Sequence, residues 1–252
     1  MNTFLFIFAH PDDESFTGAG IAMKYGATGV RTVLITATLG ERGKRGDPPV
    51  CAAEELASCR ERELREAAAI IGIDELHVLG YVDRELYQAP PDEIRRTLVR
   101  LIRREKPGIV FTFDPNGVNR HPDHIAISRF TTDAVLAAAD PRWHRDSGEP
   151  YTVPRLLWTP PITPWDAASV ERIEQHPGVD FVIDVSPWLE RRIAALRAHR
   201  TQHLSIDRCF FYKPDVDRIL GTEIWRQAWG PPLSNRPTQD ILAGLDATDE
   251  HG

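Results

Sequence analysis

Through the first 140 residues, continuous apolar runs alternate with stretches of helical composition, and each run has the length of a strand buried on both faces. The order strand, helix, strand, helix recurs at a spacing that fits βαβ units. These two observations predict an α/β fold, a Rossmann-like, mostly parallel sheet with helices on both faces. No internal repeat or compositional break interrupts residues 1–230, so one domain is expected there, followed by a loosely attached polar tail over 231–252.

Each element has a local cause. "TFLFIFA" (3–9) is a first buried strand, followed by helical composition over 17–28 that stops near Gly29. "RTVLITAT" (31–38) is a second strand, and "GERGKRGDPPV" (40–50) is a loop by its glycines and prolines. Residues 52–71 have the pattern of an amphipathic helix closed by Gly72. "ELHVLGY" (75–81) reads as a third strand, 92–105 as a helix, and "GIVFTF" (108–113) as a fourth strand. A helix is expected from about His121 to Ala139. Residues 141–178 are proline-rich and read as long loops; "RLLWTP" and "VDFVIDV" are later strands, and 187–200 is a further helix.

Composition narrows the function. A net charge of −7 disfavours nucleic-acid and anionic-membrane partners. The three cysteines form no CxxC, so neither a disulfide framework nor a cysteine zinc site is indicated. "MNTFLFIFAH" lacks a basic region and a cleavage site, and no apolar run reaches the ~20 residues that span a bilayer. A cytoplasmic protein acting on a small molecule is expected, and a homo-oligomer is left open.

Sites in open α/β sheets form beyond the carboxyl ends of the strands. Strand one ends at "AHPDDE" (9–14), where three successive carboxylates repel one another unless a cation neutralises them. Strand four leads into "DPNGVNRHPDH" (114–124). If the two strands are neighbours, His10, Asp12, Asp13, Asp114, His121, Asp123 and His124 converge. A His/His/Asp set from this group suits Zn²⁺ or Fe²⁺ with an open coordination position.

"AHPDDE" followed by "HPDH" (121–124) resembles the PIG-L/LmbE-like metal-dependent N-deacetylases. The resemblance extends in order through "GERG" (40–43), "RERELREAA" (60–68), "GYVD" (80–83) and "IDVSPWLERRIAALRAHRTQ" (183–202). It implies a zinc-dependent hydrolase that removes an acetyl group from an N-acetylglucosamine-type substrate. It further implies His10, Asp13 and His124 as metal ligands and Asp12 as general base. His121 would stabilise the oxyanion and protonate the leaving amine, with Asp123 orienting it. Arg60 and Asp83 match family positions on the substrate side, and Glu41 lies in a loop that could line the entrance. His199 falls in a family "H-x-x-Q" region, where packing and substrate contact are both open. Glu14 is expected as a helix N-terminal acid. Thiol-pathway members can carry a tyrosine just before the second motif; here Asn119 and Arg120 stand there.

Two other readings compete. The same fold also carries amidases of thiol conjugates and hydratases of small acids. A dinucleotide-binding module is suggested by "TGAG" (17–20), but Met23 breaks the G-x-G-x-x-G fingerprint and the adjacent acids would repel a pyrophosphate.

Overall fold

Parallel strands need long crossovers, and the helical stretches between the apolar runs provide them. In a computed structural model, which describes residues 3–163, 165, 173 and 176–245, the elements begin β1 (Thr3–Phe8), α1 (Asp13–Phe16), α2 (Ala19–Gly26) and β2 (Arg31–Thr38). They continue with α3 (Leu56–Ile71), β3 (Glu75–Tyr81), α4 (Pro91–Glu105), β4 (Ile109–Thr112), α5 (Gly117–Arg120) and α6 (Pro122–Ala139). After a long connection come β5 (Arg155–Trp158), β6 (Phe181–Asp184), α7 (Leu189–Ala198), α8 (His203–Ile206), α9 (Val216–Leu220) and β7 (Thr222–Trp229).

The seven strands lie in the order β3-β2-β1-β4-β5-β7-β6. β1 pairs in parallel with β2 on one side and with β4 on the other, Phe4 facing Ile109 and Phe6 facing Phe111. Chain order therefore reverses at β1, and a crevice opens beyond the carboxyl ends of β1 and β4. Both loops that carry the histidine motifs emerge there. β1 is buried along its whole length, and Phe6 stacks on Phe111 with ring centroids 4.5 Å apart. α2, α3 and α7 pack together, as do α4 and α6. Among the described residues, no helix is long and apolar enough to cross a membrane.

Two features depart from expectation. β7, which no apolar pattern announces, runs antiparallel between β5 and β6. The segment after Pro231 is not a loose tail, at least to Leu245. Ile241 and Leu245 are buried in the main core, and Arg155, itself buried in the sheet, donates to the carbonyls of Ile241 and Ala243. Thr238 exchanges backbone hydrogen bonds with Asp180 and Val182. Residues 246–252 of the expected tail, and 164, 166–172, 174 and 175 of the expected loops, lie outside the described residues.

Candidate active site

β1 ends at Phe8, and the turn that follows delivers His10, Asp12 and Asp13 into the crevice. Asp13 Oδ2 accepts the backbone N–H groups of Ala9 (3.2 Å) and His10 (2.8 Å), which fixes the carboxylate at the strand end. From the other side His121 caps α6, and His124 follows one turn later. Gly117 presses on His124: a Cβ there would lie 2.7 Å from that of His124, at a φ of +67° that favours glycine.

His10 Nδ1 and His124 Nε2 are 3.2 Å apart, Asp13 Oδ1 is 3.3 Å from His124 Nε2, and Asp13 Oδ2 is 3.6 Å from His10 Nδ1. The outer nitrogens dictate the tautomers. His10 Nε2 faces Asp83 Oδ1 and Asp123 Oδ2, both at 3.2 Å, so it must be a donor. His124 Nδ1 faces the carbonyl of Gly117 at 3.2 Å, and a carbonyl can only accept. Two imidazole lone pairs and the Asp13 carboxylate, one oxygen toward each ring, thus face one another with no donor between them. Tetrahedral bonds of about 2.0–2.2 Å to one ion separate its ligands by roughly 3.3–3.6 Å, and the 3.2 Å between His10 Nδ1 and His124 Nε2 and the 3.3 Å between His124 Nε2 and Asp13 Oδ1 lie close to that. Where no cation neutralises the cluster, a proton must. Burial alone would lower the pKa of His10, but hydrogen bonds to Asp123, Asp13 and Asp83 outweigh it and hold it well above the ordinary value. Burial would raise Asp13, yet His124 and His10 hold its carboxyl well below the usual range.

His121 also presents a ring nitrogen within 4.8 Å of those of His10 and His124. Its Nδ1, however, accepts the backbone N–H of Asp123 at 3.2 Å. Burial, followed by the charges of His10 and His124, lowers its pKa, against the pull of Asp123 and Asp13. The surface group Glu75, His77 and Glu105 is satisfied by Arg31 and Arg104 instead.

Asp12 stands beside the triangle without joining it. Its Oδ1 is 3.4 Å from the guanidinium of Arg60. Burial pushes its carboxyl up to about 6, with Arg60 opposing and Asp13 adding to the rise. Arg60 is itself buried, and it donates to the carbonyls of Gly40 and Pro11. A Cβ on Gly40 would lie 2.0 Å from the Arg60 Nη1, so the glycine makes room for the arginine.

Three residues make contacts besides those expected of them; Asp83 also lines the cavity, and the Asp123 N–H holds His121 Nδ1. The Asp123 carboxylate, expected to orient His121, holds His10 and accepts the backbone N–H groups of Arg84 (2.6 Å) and Leu86 (3.2 Å). Asp83, expected to face substrate, also holds His10; burial would raise its carboxyl, but His10 brings it down to about 2. Glu41 accepts the Asp83 N–H at 2.8 Å and braces that loop. Asp114 caps the following turn, accepting the N–H of Val118 at 2.7 Å.

A cavity of about 370 Å³ opens over these groups. Its lining combines polar groups, Asp12, Arg60, His121 and His124, with an apolar group, Phe16, Trp165, Phe210, Ile219 and Ile224, in which the three aromatic rings touch one another. The second group comes from stretches without a clear period, so sequence reading missed it. Among the described residues, three of the six non-glycine residues with positive φ, Asp12 (112°), Arg84 (64°) and Val118 (60°), line the cavity, and a fourth, Arg120 (64°), precedes His121. Such conformations persist only where surroundings enforce them.

The family model described as GlcNAc-PI de-N-acetylase, PIG-L, matches residues 5–135, which include both histidine motifs. The chain belongs to the PIG-L family. Over 284 residues it is 32% identical to the 1D-myo-inositol 2-acetamido-2-deoxy-alpha-D-glucopyranoside deacetylase of Acidothermus cellulolyticus, spanning 98% of this chain and 96% of that one. A conserved protein of Thermus thermophilus superposes with a TM-score of 0.69 at 28% identity, over 92% of this chain and 97% of its own. The 4-carboxy-2-hydroxymuconate hydratase of Pseudomonas putida, at 15% identity, shares the fold, with a TM-score of 0.72 over 93% and 99% of the two chains. As a PIG-L protein, the chain is a metal-dependent hydrolytic N-deacetylase. His10, Asp13 and His124 have the donor chemistry that such a metal requires.

Proposed function

We propose that this chain is a zinc deacetylase that removes acetate from an N-acetylglucosamine unit of a small conjugate. The observation that carries the reading is the donor-free triangle of His10 Nδ1, Asp13 and His124 Nε2, with the separate carboxylate of Asp12 beside it. The relatives' action on an acetamido-glucopyranoside supports the substrate class. A zinc ion held by the three residues supplies Lewis acidity, which polarises an amide carbonyl and makes water nucleophilic near neutral pH.

The chain's own groups handle the protons. Asp12, ionised and kept off the metal, takes the proton from the attacking water. His121, with its Nδ1 accepting the Asp123 N–H, offers Nε2–H as a hydrogen-bond donor to the oxyanion, and the proton that Asp12 takes from the water passes on to the departing amine. Asp83 and Asp123 keep His10 turned with its lone pair inward, as carboxylate partners of metal-bound histidines do.

The test is acetate release from 1D-myo-inositol 2-acetamido-2-deoxy-alpha-D-glucopyranoside and other N-acetylglucosaminyl conjugates. One free amine should appear per acetate, turnover should stop on chelation, and zinc should restore it. A zinc-loaded protein that releases no acetate from any of them, but hydrates an unsaturated acid, would overturn the proposal.

A further inference from the structure

We propose that Glu14 and His199 are positioning residues for this reaction: a buried pair that fixes the backbone of Asp12 and thereby aims its carboxylate. The inference rests on reading Asp12 as the base.

The need for such a device lies in the motif. Two successive carboxylates must serve one site, one on the metal and the other on the water. Successive residues on a helix point about 100° apart, so continuing a regular helix through both would turn one away. The chain resolves this by placing Asp12 at φ 112°, a left-handed backbone that an L side chain rarely adopts. Among the described residues the Asp12 side chain makes one ion pair, the 3.4 Å contact with Arg60, which reaches the carboxylate and not the backbone.

Glu14 supplies the hold. Its Oε2 accepts the Asp12 backbone N–H at 3.0 Å, while its Oε1 accepts the Ser15 hydroxyl at 2.6 Å and pairs with His199 Nε2 at 2.7 Å. Glu14 is 3% exposed and His199 fully buried, so neither charge is screened by water. Burial would lower the pKa of His199, but Glu14 outweighs it and raises the value, as expected for an imidazolium held against a carboxylate. His199 is anchored in turn, because Thr201 donates to Glu63 of α3 through its N–H (2.9 Å) and its hydroxyl (2.6 Å). The same helix carries Arg60. The Asp12 carbonyl accepts the N–H groups of Ser15 (2.9 Å) and Phe16 (3.0 Å), whereas the contacts on its N–H, from Glu14, and on its side chain, from Arg60, both trace back to α3.

The experiment compares zinc-loaded wild type with Glu14→Ala, Glu14→Gln, His199→Ala and the Glu14→Ala/His199→Ala double variant. Acetate release from the inositol glucosaminide, zinc per chain and the folded fraction are read in parallel. Glu14→Ala should lose roughly 10²-fold in kcat, the scale of a misplaced catalytic group. KM and zinc content should stay within about twofold of wild type. Glu14→Gln keeps an oxygen for the Asp12 N–H and should recover most of the loss. The double variant should lose no more than Glu14→Ala alone, because the two residues act as one unit. The proposal is overturned by unchanged kcat in Glu14→Ala, by losses that multiply in the double variant, or by kcat falling only in proportion to zinc or folded protein. If the alanine variants do not fold, His199→Gln decides it: full kcat overturns the idea, and a kcat loss at unchanged KM and zinc supports it. Asp12→Asn, assayed alongside, separates the two claims, since full activity there removes the base itself.

Discussion

Asp13 is gripped on several sides, while Asp12 is held chiefly through its backbone and Arg60. That difference predicts separate defects. Asp13→Ala should lose zinc, because it deletes one corner of the donor triangle. Asp12→Asn should retain zinc and lose about 10²–10⁴-fold in kcat, the usual cost of removing a general base. Metal content and turnover measured on the same preparations decide the division. His199 gives a prediction about pH and stability. Its folded pKa is raised above the ordinary value of ~6.5. Its pairing therefore stabilises the fold fully below ~6.5, and the contribution disappears as pH rises through the raised value. His199→Gln should cost more stability at pH 6 than at pH 9 when unfolding is followed in denaturant. An equal cost at both values would mean that His199 is not charged in the folded protein.

At the scale of elements, the loop after β2 matters through one glycine. Gly40→Ala forces a Cβ onto Arg60 at a strained φ of +64°. It should lower kcat and stability together, whereas Gly26→Ala at the end of α2 meets nothing within 4 Å and should stabilise by about 0.5–1 kcal/mol. Thermal unfolding of both variants tests the contrast. The strands up to β4 were legible because apolar runs and helical spacing both follow one repeat. β7 was not, because the buried carboxylate Glu223 sits inside it, accepting the Gly20 and Ile21 N–H groups and pairing with Arg192. At the site, the two histidine motifs announced the donors. They did not announce that Asp123 turns toward His10, since that depends on how α6 is seated against the loop at Arg84 and Leu86.

Across the whole molecule, the last described segment completes the sheet side of the core. Its polar composition hid this, because the contact rests on few side chains, Ile241 and Leu245 buried and Leu233 and Leu242 packed partly against the core. Fully burying such a side chain contributes about 1.5–3 kcal/mol. A chain ended at Gly230 should therefore unfold at a clearly lower denaturant concentration than the full chain, and an unchanged midpoint would restore the picture of a detached tail.

The crevice has two authors along the chain. The donors and the proposed base come from residues 10–124, whereas most of the apolar wall comes from residues beyond 159, joined by Phe16, Phe113 and Val118. Reactivity and selectivity can then drift independently, as two components with separate inheritance. A library varied at Ile162, Cys209, Ile219 and Ile224 should yield members with altered preference among N-acetylated conjugates and an unaltered zinc stoichiometry. Mass spectrometry of metal content beside a competition assay on mixed conjugates would read both properties at once, and loss of zinc throughout such a library would show that the two halves evolve as one.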